Sequence, residues 1–134
     1  MIFFRILIIL ITILLYSSKS FGDWIRVTGS NNNFIYVDFQ RIKVKDGSTY
    51  FWYLMDFNEK RYLSGSKEGY QSFIIQGQGD CDLSRFRDLQ FFVYKSPMGK
   101  DYLYNFKPNN KWKYPPPNSN YLNMLERVCN WSKQ

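Results

Sequence analysis

Apolar and polar residues alternate with a period of two through most of this chain. In "RIKVK" (41–45), Ile42 and Val44 point one way and Arg41, Lys43 and Lys45 the other, which predicts a half-buried strand. Asp46-Gly47 follows, a strong two-residue hairpin signal. "STYFWYLMDF" (48–57) is apolar on both faces, as a central strand covered on both sides would be. "DWIRV" (23–27), "FIYVDF" (34–39), "QSFIIQ" (71–76), "DLQFFVYK" (88–95) and "DYLYNFK" (101–107) read as further strands. "SNNN", "NEKRYLSGSKEGY" (58–70) and "SPMGK" (96–100) break the chain between strands, and Gly77 and Gly79 predict an irregular stretch before Cys81.

The pattern changes near the C-terminus. Pro115, Pro116 and Pro117 forbid a helix where they stand. Beyond them Asn118, Ser119 or Asn120 can cap one. Tyr121, Leu122, Leu125, Val128 and Cys129 then fall on one stripe at helical spacing. The expected fold is α+β: an antiparallel β-sheet of about six strands with one C-terminal α-helix packed on it.

The first 22 residues follow another rule. Arg5 is the only charge before an apolar run from Ile6 to Tyr16, and Ser20 and Gly22 occupy the small-residue slots before a cut. This describes a secretory signal peptide, 1–22, ahead of a single domain, 23–134. The run is shorter than the roughly 20 apolar residues of a spanning helix, so no transmembrane segment is expected after cleavage. Losing Arg5 and Lys19 takes the net charge from +7 to +5. That excess favours acidic partners weakly. The expected localisation is export through the inner membrane, to the periplasm, the cell surface or the medium.

Export decides the cysteines. In an oxidising compartment, Cys81 and Cys129 most simply form one disulfide. A metal site would want more soft ligands, and the chain has no histidine. A cysteine nucleophile would want a histidine base. Asp80 and Asp82 beside Cys81 raise a thiol's pKa instead of lowering it. No metal, cofactor or catalytic residue is expected. Asp80 and Asp82 read as solvated carboxylates, and Asp38, Asp56 and Asp101, at strand ends, as turn caps. Lysines and arginines interleaved with aromatics also suit single-strand nucleic acid, but export removes the chain from it, so no nucleic-acid partner is expected.

A binding module remains. Lys111, Trp112, Lys113 and Tyr114 sit on a proline-stiffened loop, and a tryptophan between two lysines makes a plausible contact anchor. Lys60, Arg61 and Lys67 form a second basic candidate.

Several features, in this order, resemble the surface-adhesin protein E-like family of bacterial exported proteins. They are Trp24, "YVD" (36–38), the lysine-rich strand running into an aromatic one (Lys43 to Tyr53), "DC" (80–81), "PMG" (97–99), Trp112 before the prolines, and "RVC" (127–129). The resemblance implies a similar sheet, helix and disulfide. It implies a non-enzymatic adhesin for host extracellular-matrix proteins such as vitronectin and laminin, and a homodimer. Anionic glycans are a second partner class for a basic face. The alternative is a periplasmic or envelope accessory protein with no adhesive role.

Overall fold

The computed structural model describes residues 1–15 and 22–134. Most of the expected signal-peptide junction, Ser20 included, lies outside them. Helix α1 (Ile2–Leu15) is apolar apart from Arg5 and Thr12. Its 14 residues rise about 21 Å, short of the roughly 30 Å of a bilayer core. Among the described residues no helix is long and apolar enough to cross a membrane.

The rest is one antiparallel sheet with a helix on it. The strands are β1 (Ile25–Gly29), β2 (Asn33–Val37), β3 (Lys43–Lys45), β4 (Ser48–Tyr62), β5 (Gly69–Asp80), β6 (Arg85–Ser96) and β7 (Lys100–Phe106). They pair in the order β1-β2-β4-β5-β6-β7, and β3 pairs with the start of β4. The β3–β4 hairpin turns on Asp46 and Gly47, with φ of 51° and 78°. Two positive φ values in succession suit the right-handed twist of the flanking strands.

Helix α2 (Asn120–Ser132) starts where Ser119 accepts a hydrogen bond from the Leu122 N–H. It buries Met124, Leu125, Val128 and Cys129 against the sheet. Met124 joins the predicted stripe, and Tyr121 and Leu122 are its half-buried margin. Ile35, Val37, Phe51, Tyr53, Ile75 and Phe86 supply the sheet side of this core. The Cys81–Cys129 disulfide fastens the helix to the end of β5.

Three expectations need correcting. Strand β5 continues through Gly77 and Gly79 to Asp80, paired with β4 as far as Gly79, and the irregularity of that stretch is confined to a register shift against β6 between Gln76 and Gly77. The glycines there make room for neighbours. A Cβ on Gly77 would stand 2.7 Å from the Phe51 ring, and one on Gly79 would stand 3.2 Å from Leu125. Val44 is 60% exposed, because β3 is a three-residue strand beside β4 that no described element covers. The polar stretch 58–70 is mostly strand: β4 and β5 extend into it and leave only its tip as a turn.

Candidate functional site: the open face of the sheet

The period of two splits β4 between two environments. Phe51, Tyr53, Met55 and Phe57 face the helix side and are buried. Tyr50, Trp52, Leu54 and Asp56 face the other way. Their neighbours across the ladder are Gln78, Gln76, Ile74 and Ser72 of β5, and beyond these Arg87, Gln90, Phe92 and Tyr94 of β6.

Among the described residues this second face is closed at one end only. The turn Pro97–Gly99 folds over it. The Met98 N–H donates to Asp56 at 3.0 Å and the Gly99 N–H to Ser72 Oγ at 2.9 Å. A Cβ on Gly99 would stand 2.7 Å from Ile74, and Leu54 beneath is fully buried. Elsewhere Tyr50, Trp52, Gln76, Gln90 and Phe92 remain partly exposed. Strand β4 is therefore covered on both faces along only part of its length.

Two arginine–tryptophan clusters stand on the open part. The Arg41 guanidinium lies 5.5 Å from the Trp24 ring and 5.3 Å from the Trp52 ring. Its Nε donates to Asp38 Oδ2 at 2.6 Å, and Asp38 also accepts from the Gln40 N–H. In the second cluster Trp112 carries Arg85 and Arg87, at 4.2 and 4.4 Å from its ring. Arg85 donates to Asp80 Oδ2 at 2.9 Å and to the Tyr114 hydroxyl at 3.1 Å, and Arg87 donates to Gln78 Oε1 at 2.8 Å. The Arg85 bond holds the Asp80 carboxyl below its ordinary value. Each cation–ring contact is worth about 0.5–1 kcal/mol at an exposed site, enough to fix rotamers and pre-order a surface.

Lys113 turns the other way. Its backbone pairs with Phe86, which continues the sheet beside the first half of β6. Its ammonium reaches through to the helix side and donates to Asp88 Oδ2 at 2.6 Å. Tyr53 donates to the other oxygen, Oδ1, at 2.6 Å. Asp88 is 2% exposed, so this carboxylate is buried with both oxygens satisfied. Burial, with the Asp88 charge second, pushes the Tyr53 phenol well above its ordinary value and raises Tyr121 as well.

Phenols whose folded pKa is raised contribute stability that is fully present below about pH 10, their ordinary pKa. That stability is lost as the pH climbs through the folded values. Urea midpoints should therefore fall between pH 9 and pH 11, and less steeply in Tyr53→Phe. A flat midpoint over that range would contradict the assignment.

The two sequence-predicted groups lie at opposite ends of the sheet. Arg61 pairs with Tyr70 at the start of β5, whereas Phe86, the partner of Lys113, pairs with Gly79 near its end. That separation along the strand is about 30 Å. Lys60, Arg61 and Lys67 are exposed on the hairpin tip, with Arg61 stacked over Phe57 at 4.0 Å. Trp112 and Tyr114 border the open face through Arg85 and Arg87, and Lys111 is exposed next to Trp112 in the chain.

Sequence reasoning passed over Trp52, Gln76, Arg85 and Arg87. The available signal was the alternation "RFR" (85–87), which places two arginines on one face around the buried Phe86. Of the three aspartates expected at strand ends, Asp38 caps the turn Phe39–Arg41 and Asp101 accepts from the Ser96 hydroxyl at 2.5 Å, whereas Asp56 lies inside β4 and accepts from the Met98 N–H. Among the described residues no group of three or more histidines, cysteines or carboxylates is placed to hold a metal ion.

Comparison with known proteins adds a family. A family model described as surface-adhesin protein E matches residues 24–130. A search of curated proteins found no match. A solved structure of Haemophilus influenzae protein E superposes with a TM-score of 0.62 at 17% identity, covering 87% of this chain and 91% of that one. A structure of protein E from non-typeable Haemophilus influenzae gives 0.58 at 15% identity, covering 87% and 82%. At these identities the likeness is one of fold.

Proposed function

We propose that this chain, which belongs to the surface-adhesin protein E family, is a non-enzymatic exported binding protein that attaches to a macromolecular partner through its open sheet face. The partner class is the one that the family name suggests, a host extracellular-matrix protein of the vitronectin or laminin type. In this reading residues 1–22 are removed on export and 23–134 form the working domain.

The carrying observation is the Arg85–Trp112–Arg87 stack. Three large side chains are held rigid on an accessible surface by one another and by Asp80, Gln78 and Tyr114. A flat aromatic flanked by fixed guanidinium groups has the composition of a binding hot spot. Lys111 and Tyr114 extend it, and the hairpin residues Lys60, Arg61 and Lys67 make a separate, weaker contact.

The test is binding of immobilised laminin and vitronectin by the purified protein. Trp112→Ala should weaken capture at least tenfold, a modest hot-spot effect, with an unchanged circular dichroism spectrum. Replacing Lys60, Arg61 and Lys67 by alanine should weaken it less. Capture of neither matrix protein, or capture indifferent to Trp112, would contradict this reading and favour an envelope accessory role.

A further inference from the structure

The open face holds three adjoining depressions. One, of about 430 Å³, is lined by Trp52, Gln76, Gln90, Phe92, Lys107 and Asn110 among others. A second, of about 660 Å³, is lined by Lys43, Val44, Lys45, Tyr50 and the same Gln76. A third, of about 330 Å³, shares Trp52 and Phe92 with the first and adds Trp24 and Arg41. Shared walls make them one track across β3, β4, β5 and β6, about 14 Å wide at the usual strand spacing.

The lining is one-sided in charge. Lys43, Lys45, Arg41 and Lys107 line the track, and no carboxylate does so among the described residues. Arg41 is paired with Asp38, whereas Lys43, Lys45 and Lys107 are in no ion pair among those residues. Between the cations lie aromatic rings, with Trp52 and Phe92 centred 6.0 Å apart, and the side-chain amides of Gln76, Gln90 and Asn110.

We propose that this track binds an anionic polysaccharide, its sulfate or carboxylate groups paired with Lys43, Lys45 and Lys107 and its sugar rings laid on Trp52 and Phe92. Each part of the lining has a use in that ligand. The ammonium groups meet the acidic substituents. Aromatic faces stack on the C–H faces of sugar rings, and amides can both donate to and accept from hydroxyls. An extended peptide fits less well. It gains most from a free strand edge, where its backbone can join the ladder, and this track lies across the face of paired strands. The inference rests on reading the open face as the binding surface.

The test is titration of the full protein with a heparin octasaccharide, followed by tryptophan fluorescence and calorimetry. The double variant Lys43→Glu, Lys45→Glu should bind about tenfold more weakly, and raised salt should weaken the wild type. Trp52→Leu should lose most of the affinity and the fluorescence change. Trp52→Phe, which keeps a ring, should retain binding. Lys95→Glu with Lys133→Glu, two exposed lysines that do not line the track, should bind as the wild type does. Equal loss in that control, or equally tight binding of a thymidine oligonucleotide of matched charge, would reduce the effect to ion exchange and overturn the proposal. So would the absence of heparin binding in a protein that captures laminin or vitronectin, which leaves the matrix-protein reading standing. Heparin binding without matrix-protein capture would do the reverse.

Discussion

Replacing Cys81 and Cys129 by serine should lower the stability of the fold by about 4 kcal/mol. The two cysteines are 48 residues apart, and an open loop of that length restores a large entropy to the unfolded chain. At a urea slope of about 2 kcal/mol per molar, the midpoint should fall by roughly 2 M. Reductant should do the same to the wild type and nothing to the serine variant. The helix should still dock at low denaturant, because Met124, Leu125 and Val128 remain buried against the sheet. The loss should therefore appear as a shifted midpoint and not as an unfolded protein. Coincident midpoints with and without reductant would show that the disulfide holds nothing.

Asp88→Ala should cost about 3 kcal/mol, or roughly 10 °C of melting temperature. The carboxylate is the shared acceptor of Tyr53 and Lys113. Without it the fully buried Tyr53 hydroxyl loses its partner, and an unpaired buried donor costs about 1–3 kcal/mol by itself. The Lys113 ammonium can swing to water, since its side chain is 49% exposed. That escape frees the segment that carries Trp112. The variant should thus lose binding at the open face although Asp88 lies on the opposite side of the sheet. Asp88→Asn, which still accepts from Tyr53, should recover part of the stability and less of the tethering. Calorimetry of the three proteins checks the order. Equal melting temperatures for wild type and Asp88→Ala would refute it.

The fold was legible where a residue's type fixes its environment. Asp46-Gly47 set the hairpin, the proline run and Ser119 set the start of α2, and the lone cysteine pair set the staple. The open face was harder to read. Trp52 and Tyr50 on β4 have the hydropathy of core residues, and they stay partly exposed because the described residues supply no second covering layer. That absence is a matter of topology, since α2 covers one face and the Pro97–Gly99 turn only one end of the other. Lys113 was misleading for a related reason. Within "KWKY" it looks like its neighbour Lys111, but the bridge to Phe86 fixes the alternation. One lysine therefore enters the core margin while Trp112 lies outside. The glycines of β5 read as irregularity because their packing against Phe51 and Leu125 is visible only in three dimensions.

The central claim is that a binding face reaches the outside of the cell. The direct measurement is protease accessibility of the tagged protein on intact cells against lysed cells. Digestion on intact cells is the predicted result, and it would put the open face where a matrix protein or a glycan can meet it. Protection until lysis would place the protein in the periplasm, contradict the adhesive account, and turn the search to partners within the envelope.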